Sequence, residues 1–324
     1  MKPAISVIVS NFNGARFLPR LLESLDAQLG VDVEIIVVDR QSRDESKEIL
    51  SRHHGVNVVS EPPETGLVCG YHAGSKHASH DLLFFCNEDM WFGQECLREL
   101  AARIDLPSRV AAADGWHWTY DQKDWIHGAT RFVGVPWAIN SPHPRRAADF
   151  TVVTATGEIT PFPCAGAFMI HRDVYREIGG WDTGFFLDHE DIDLFIRAWQ
   201  RGWCCAMAPE ARIYHAVNAS NQQTLSALNV RVSQRRYLSQ RASLAIIASK
   251  YFSWRAMGWA AMVWPAVFFN NLRAGRWDLV RRDIAVLREI WQRLPQALAF
   301  RKANAPYNCR FPGDRFFADP RFSR

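Results

Sequence analysis

Residues 34–53 read EIIVVDRQSRDESKEILSRH. Four β-branched residues follow Glu34, so 34–38 reads as a short buried strand. The strand stops at Asp39. Asp44 then stands before a helical stretch over 45–53 and can accept from its first free N–H groups. Strand, polar turn and capped helix make one βα unit, and the unit recurs on both sides. Residues 5–9 (ISVIV) read as an earlier strand, 11–14 (NFNG) as a turn, and 16–28 as a helix with Leu18, Leu21, Leu22 and Leu25 on one face. Residues 56–60 read as a third strand, 71–78 as a helix and 82–86 as a fourth strand. This alternation predicts an α/β fold with a mostly parallel, Rossmann-like sheet flanked by helices. Ligands of such sheets sit beyond the carboxyl ends of the strands. Asn11, Asp39 and Asp89 each fall just past a strand end, so the pattern brings them to one edge.

The rest of the chain is less regular. Residues 114–163 are rich in Trp (116, 118, 125, 137), Pro and His, and read as loops and short strands over that edge. Residues 164–171 return as an apolar strand. Residues 179–203 (GGWDTGFFLDHEDIDLFIRAWQRGW) give a Gly-rich loop, an acidic cluster and a helix. Two short strands, 204–208 and 211–214, lead to His215. Past residue 231 the pattern is helical and basic.

The chain has 324 residues, 48% of them hydrophobic, enough for one large domain or a domain with an appendage. The opening MKPAISVIVSNFNG reads as a first strand and not as a signal peptide. Seven cysteines, at 69, 86, 96, 164, 204, 205 and 309, form no CxxC pair. They fit a reducing cytosol better than a disulfide framework or a zinc site. Charge is unevenly spread. Residues 1–230 carry 20 Lys/Arg against 29 Asp/Glu, a net of −9, while 231–324 carry 18 against 5, a net of +13. A basic tail on an acidic body points to an anionic partner surface. No nucleic-acid module accompanies it, so nucleic acid is not the expected partner. Residues 256–269 (AMGWAAMVWPAVFF) are uncharged but shorter than the roughly 17–25 residues that span a bilayer. With Trp254, Trp259, Trp264 and flanking Arg they read as an interfacial helix, or as a helix buried on the body or in a homodimer.

Three constellations carry chemistry, each with an ordinary structural reading beside it. Asn87-Glu88-Asp89 ends the strand 82–86; it is a solvated strand end, or it holds a divalent cation against phosphates. His189-Glu190-Asp191 and Asp193 open a helix, where acids are favoured anyway; an acid held against Phe185 and Phe186 can also act as a base. His215 after a strand is structural, or a metal ligand if Asp89 is one. Gly66, Gly70 and Gly74 at a loop–helix junction serve phosphate approach or close helix packing equally well.

Taken together these segments resemble family 2 glycosyltransferases of the GT-A fold. SVIVSNFNG resembles SVVIVTYN, EIIVVDRQSRDES resembles EIIVVDNASTDGS, and GLVCGYHAG resembles GFAxGxNxG. LLFFCNED sits at the family's DxD position, the block 164–203 resembles the acceptor-side block ending FFLYGEDVDLCWR, and ARIYH sits where a late His is found. The resemblance covers roughly residues 4–220 and is nearest to rhamnosyl- and hexosyltransferases of bacterial surface polysaccharides. It implies a catalytic domain over 1–225, with a nucleotide half (1–113) and an acceptor half (114–225), and a basic helical extension over 226–324. It implies that Ser10, Asn11 and Asn13 frame the base, that Asp39 bonds base or ribose, and that Gly66, Gly70, His72, Asn87 and Glu88 line the nucleotide. Asp89 and His215 would hold Mn²⁺ or Mg²⁺, Asp191 would be the general base helped by Glu190, and Trp181, Asp188 and His189 would meet the acceptor. The implied reaction is inverting transfer of one sugar from a UDP-, dTDP- or GDP-linked donor to a glycan or polyprenyl-diphosphate-linked acceptor. The implied location is the cytoplasmic face of the membrane. Arg40 after Asp39, and His72 in place of Asn, depart from the pattern and leave the nucleotide open. No transmembrane helices and no QxxRW motif mark a processive synthase. The competing readings are a nucleotidyltransferase, which lacks a Gly-rich basic first turn here, and a non-catalytic binding module, which would have lost the acids.

Overall fold

The computed structural model describes residues 2–62, 65–127, 131–132, 139–140, 152–154, 157–160, 163–187, 189–216, 238–239, 241–243, 245–251 and 268–308. The first half runs β1 (Ala4–Asn11), α1 (Leu18–Asp26), β2 (Asp32–Asp39), α2 (Ser46–Arg52), β3 (Val56–Ser60), α3 (Gly66–Ser75), β4 (Leu82–Asn87), β5 (Met90–Phe92) and α4 (Cys96–Arg103). Next come the long β6 (Val110–Thr119) and the short strands β7 (Trp125–His127), β8 (Arg131–Phe132), β9 (Ile139–Asn140), β10 (Val152–Thr154) and β11 (Gly157–Thr160). Then follow β12 (Ala167–His171), α5 (Arg172–Glu177), α6 (Glu190–Gln200), β13 (Cys204–His215), α7 (Trp277–Ala303) and α8 (Ala305–Asn308).

One sheet has the order β10-β11-β13-β6-β12-β4-β1-β2-β3. β1, β2, β3 and β4 pair in parallel, and β12 joins β4 antiparallel. β6 and β13 are again parallel to each other. The pleat sorts the side chains of β1. Ile5, Val7 and Val9 meet α1 and α4 through Leu18, Leu22, Leu97 and Leu100. Ile8 faces Val68 and Tyr71 of α3 on the other side. Alternation of this kind is what lets one strand serve two cores. A mostly parallel first half flanked by helices is what the alternating pattern predicts, and the helical C-terminal region is what the basic tail predicts.

Three details differ from the sequence reading. α3 begins at Gly66 and not near residue 71, because Gly66 (φ +78°) starts the turn that the larger residues continue. Residues 204–215 form one strand with a register shift between Ala208 and Arg212, where Pro209 interrupts the ladder. Residues 110–119 form a buried strand, so the boundary drawn at 113/114 falls inside β6. The sequence VAAADGWHWT hides it behind Ala, Gly and Asp.

The C-terminal helices close onto the body. Lys250 and Tyr251 both bond the buried carboxylate of Asp193 on α6, and Arg197 donates to it from Nε and Nη2. Lys250 also reaches Asp182 at 2.6 Å. Ile246, Ile247, Tyr251 and Ala297 belong to the same core cluster as Phe168 and Phe195. Most of residues 256–269 lies outside the described residues. Among the described residues no helix is long and apolar enough to cross a membrane.

Candidate active site

β1, β2 and β4 end level with one another: Asn11 pairs with Asp39, and Ser10 with Asn87. The loops beyond them are knitted by short polar bonds. Asn11 Nδ2 donates to Asp39 Oδ1 (2.9 Å) and to Ser42 Oγ (3.1 Å). The Asn13 N–H donates to the same Ser42 oxygen, and Asn13 Oδ1 accepts from the Arg43 N–H. Asp44 accepts from Ala15 N and Ser46 N, so it joins the two loops as well as capping α2. Asn13 holds φ at 55°, a left-handed conformation that Asn tolerates better than most residues. Asn11 and Asp39 are buried and bond each other and Ser42, while Asn11 Oδ1 is left without a partner. Their first task is therefore to fix loop shape. Ser10 Oγ is buried without a partner. Ser42 was missed by sequence reasoning, although it is the oxygen on which both Asn residues converge.

At the end of β4 three charged groups crowd together. Burial pushes the Glu88 carboxyl up, Asp89 adds to the rise, and Arg40 opposes it; the result is about 7. Arg40 is itself 9% exposed, its Nε has no partner, and its guanidinium lies 5.2 Å from the Phe12 ring centre. Asp89 Oδ1 and His215 Nε2 face each other at 3.3 Å, each side chain 16% exposed. The contact lacks hydrogen-bond geometry, so Asp89 Oδ1 is a buried acceptor with no donor. Among the described residues no three His, Cys, Asp or Glu side chains gather as a complete metal cage. A carboxylate oxygen and an imidazole on one rim do fit a divalent cation whose remaining ligands are substrate oxygens.

The segment 164–166 joins this rim to the start of α6. The Asn87 N–H donates to Gly166 O (2.9 Å). The Tyr71 hydroxyl lies 2.7 Å from Asn87 Oδ1 and 3.1 Å from Ala165 O. The Ala165 N–H donates to Asp191 Oδ2 at 3.3 Å. From the other side, the Cys164 N–H donates to Asp114, which also contacts His117 at 2.9 Å. Asp191 is half-buried at the first turn of α6, where free N–H groups favour a carboxylate. One continuous frame thus carries Asp191, Asn87 and Asp89.

The profile of the family described as glycosyl transferase family 2 matches residues 6–179, over half of the chain. The chain belongs to this family. An uncharacterized glycosyltransferase of Nostoc sp. (strain PCC 7120) is 46% identical over 185 residues, which are 54% of this chain and 52% of that protein. N-acetylgalactosaminyltransferase 6 of Drosophila melanogaster is 26% identical over 239 residues, 66% of this chain and 34% of its own length. The chain therefore spans between about a third and a half of these two relatives. GalNAc-T7, solved with UDP, GalNAc and Mn²⁺, superposes with a TM-score of 0.65 at 14% identity, over 98% of this chain and 56% of that one. A mannosyltransferase of Pyrobaculum calidifontis, solved with GDP-Man and Mn²⁺, gives 0.51 at 15% identity, covering 90% and 88%. At such identities the likeness is one of fold.

The remaining expected site residues of this family 2 chain divide. Glu190 is buried beside Asp191 at the start of α6. His189 caps that helix with φ 68°, a left-handed strain of the kind that collects at functional loops. Asp188 lies outside the described residues. Trp181 is a correction: it is 3% exposed, stacked on Tyr71 at 5.5 Å and packed against Phe85 and Phe168, so its ring offers no open face to a sugar. Gly66 and Gly70 also find packing reasons. A Cβ on Gly66 would lie 2.6 Å from Phe186 O, and one on Gly70 would meet Ser10 Oγ. His72 is half-buried, and burial with Lys76 nearby lowers its pKa. Tyr71, which links two halves of the site, was passed over because a lone Tyr inside a helix carries no chemical signature.

Proposed function

We propose that this family 2 chain is a metal-dependent, inverting glycosyltransferase that moves one hexose from a nucleotide-diphosphate sugar to a hydroxyl of a glycan or lipid-linked acceptor. The observation that carries the reading is the contact path Asp191–Ala165–Tyr71–Asn87, which joins a candidate base to the strand end that carries the candidate cation ligand Asp89. The relatives of known structure are named with UDP, GalNAc and Mn²⁺, or with GDP-Man and Mn²⁺, which supports a nucleotide-linked donor and a divalent cation here. Asp89 and His215 would hold that cation. When bound, it supplies positive charge against the diphosphate that leaves.

Asn11, Asn13, Asp39 and Ser42 shape the loops in which the nucleoside sits, and Arg40 with Glu88 bounds the same space. Asp191 takes the proton from the acceptor hydroxyl. That oxygen bonds to the anomeric carbon as the bond from carbon to the diphosphate oxygen breaks on the opposite face, through an oxocarbenium-like transition state. Glu190 and His189 orient the acceptor. The wider reading is addition of a sugar in bacterial surface polysaccharide assembly, at the inner face of the cytoplasmic membrane. In it residues 1–225 are catalytic and 226–324 form the basic extension.

The test is release of nucleotide diphosphate from a panel of UDP-, dTDP- and GDP-sugars with Mn²⁺. The expected result is turnover of one donor that disappears with EDTA and in Asp89→Ala. Absence of both turnover and calorimetric binding for every donor would sink the reading and favour a non-catalytic module.

A further inference from the structure

We infer that α7 carries a surface that lies on anionic lipid. α7 turns Val280, Asp283, Val286 and Ala297 inward. Four large apolar side chains stay out in water: Trp277 at 61% exposure, Ile284 at 53%, Leu287 at 45% and Trp291 at 76%. At about 100° per residue these four fall within an arc of about 80°; the buried Val280 lies in the same arc, so the open stripe runs from Ile284 to Trp291, about 10 Å, with Trp277 apart at the N-terminal end of the helix. Scattered exposed apolar residues are ordinary, but three aligned in one open stripe are not.

Charge selects the occupant. Arg281 and Arg288 are exposed and run along one border of this arc, within about 40° of it. Arg273 and Arg276 are exposed at the N-terminal end of the helix. Asp278 is the one exposed acid among residues 273–291. Two indole rings on an apolar face bordered by guanidinium groups match the boundary between headgroups and acyl chains. A second copy of the same face is the poorer occupant, because an antiparallel two-fold contact would bring the Arg281 and Arg288 borders of both copies to the same side. The family profile ends at residue 179, so this surface is a property of the extension. The proposal deepens the membrane reading above by naming the contact, and it fails separately from it.

The experiment is flotation of the full chain with phosphatidylcholine vesicles, with and without phosphatidylglycerol. The wild type is expected to float with the anionic vesicles only, and to be released by high salt. Trp277→Ser/Trp291→Ser and Arg281→Glu/Arg288→Glu should each weaken partitioning at least about tenfold, with donor hydrolysis and melting temperature unchanged. If the wild type floats but both variants float equally well, the α7 surface is overturned while membrane binding stands on other basic residues. If the wild type does not float, both fail. If sedimentation shows that the substitutions dissolve a dimer instead, the surface belongs to a second copy and the lipid proposal is overturned.

Discussion

The rim of the sheet and the ion cluster beneath α6 use the same residue types in opposite ways. At the rim, Asp89 Oδ1, Ser10 Oγ and the Arg40 Nε are buried without hydrogen-bond partners, and Glu88 is held up near 7 by burial and Asp89. Beneath α6, Asp193 has no exposure at all, yet Lys250, Arg197 and Tyr251 all bond it. Burial alone would raise its pKa; Lys250 and Arg197 overcome that and bring it down to about 2. An acid with every lone pair used is finished as a structure. An acid with an unused buried lone pair is waiting for something. Asp191, two residues before Asp193, stands apart from both cases: it is half-buried, and its carboxylate accepts from the backbone N–H groups of Ala165 and Ile192.

The sharpest way to break the contrast is to neutralise each acid in turn. Asp193→Asn should cost about 3–5 kcal/mol in denaturant unfolding, because two buried cations lose a charge partner. Its pH dependence has a definite sign. The folded pKa lies below the unfolded one, so the contribution is present above about pH 4 and is lost as pH falls toward 2. The gap between wild type and variant should be flat from about pH 5 to 7 and close below about 4. Asp191→Asn should do the reverse: sugar transfer falls about 10²–10⁴-fold while stability changes by less than about 1 kcal/mol. If Asp191→Asn unfolds the protein and Asp193→Asn leaves it stable, the two roles have been exchanged.

Two smaller changes sharpen the boundary. Gly66→Ala forces a side chain into a left-handed position and against Phe186 O, and should destabilise by about 1–3 kcal/mol, seen as a lower melting temperature. Tyr71→Phe removes one hydroxyl from between Asn87 and Ala165. It should lower kcat about tenfold, with KM nearly unchanged and stability down by about 1 kcal/mol. An unchanged kcat would show that the two halves of the site are positioned independently.

Much of the rim was legible in the sequence, because strand ends are local. EIIVVD places an acid one step past an apolar run and LLFFCNED places two acids within three steps of one, and parallel pairing brings such ends together without further information. What was not legible depends on distant partners. Nothing in HEDID separates Asp191 from Asp193, since Lys250 and Tyr251 join the chain nearly sixty residues later. The resemblance put Trp181 against the acceptor, but Tyr71 stacks on its ring and Phe168 packs edge-on against it. β6 escaped because Ala, Gly and Asp mask a buried strand.

The bond from Lys250 and Tyr251 to Asp193 has a consequence for anyone who treats this chain as modular. The helix that carries Asp191 is anchored by side chains that are made nearly sixty residues after it. During synthesis, residues 1–225 leave the ribosome with Arg197 already able to bond Asp193, Ile178 and Gly180, while Asp193 still lacks Lys250 and Tyr251. A cut after residue 225, chosen because the family profile has long since ended, would keep the parallel strands β1 to β4 and leave the buried carboxylate of Asp193 on α6 without Lys250 and Tyr251.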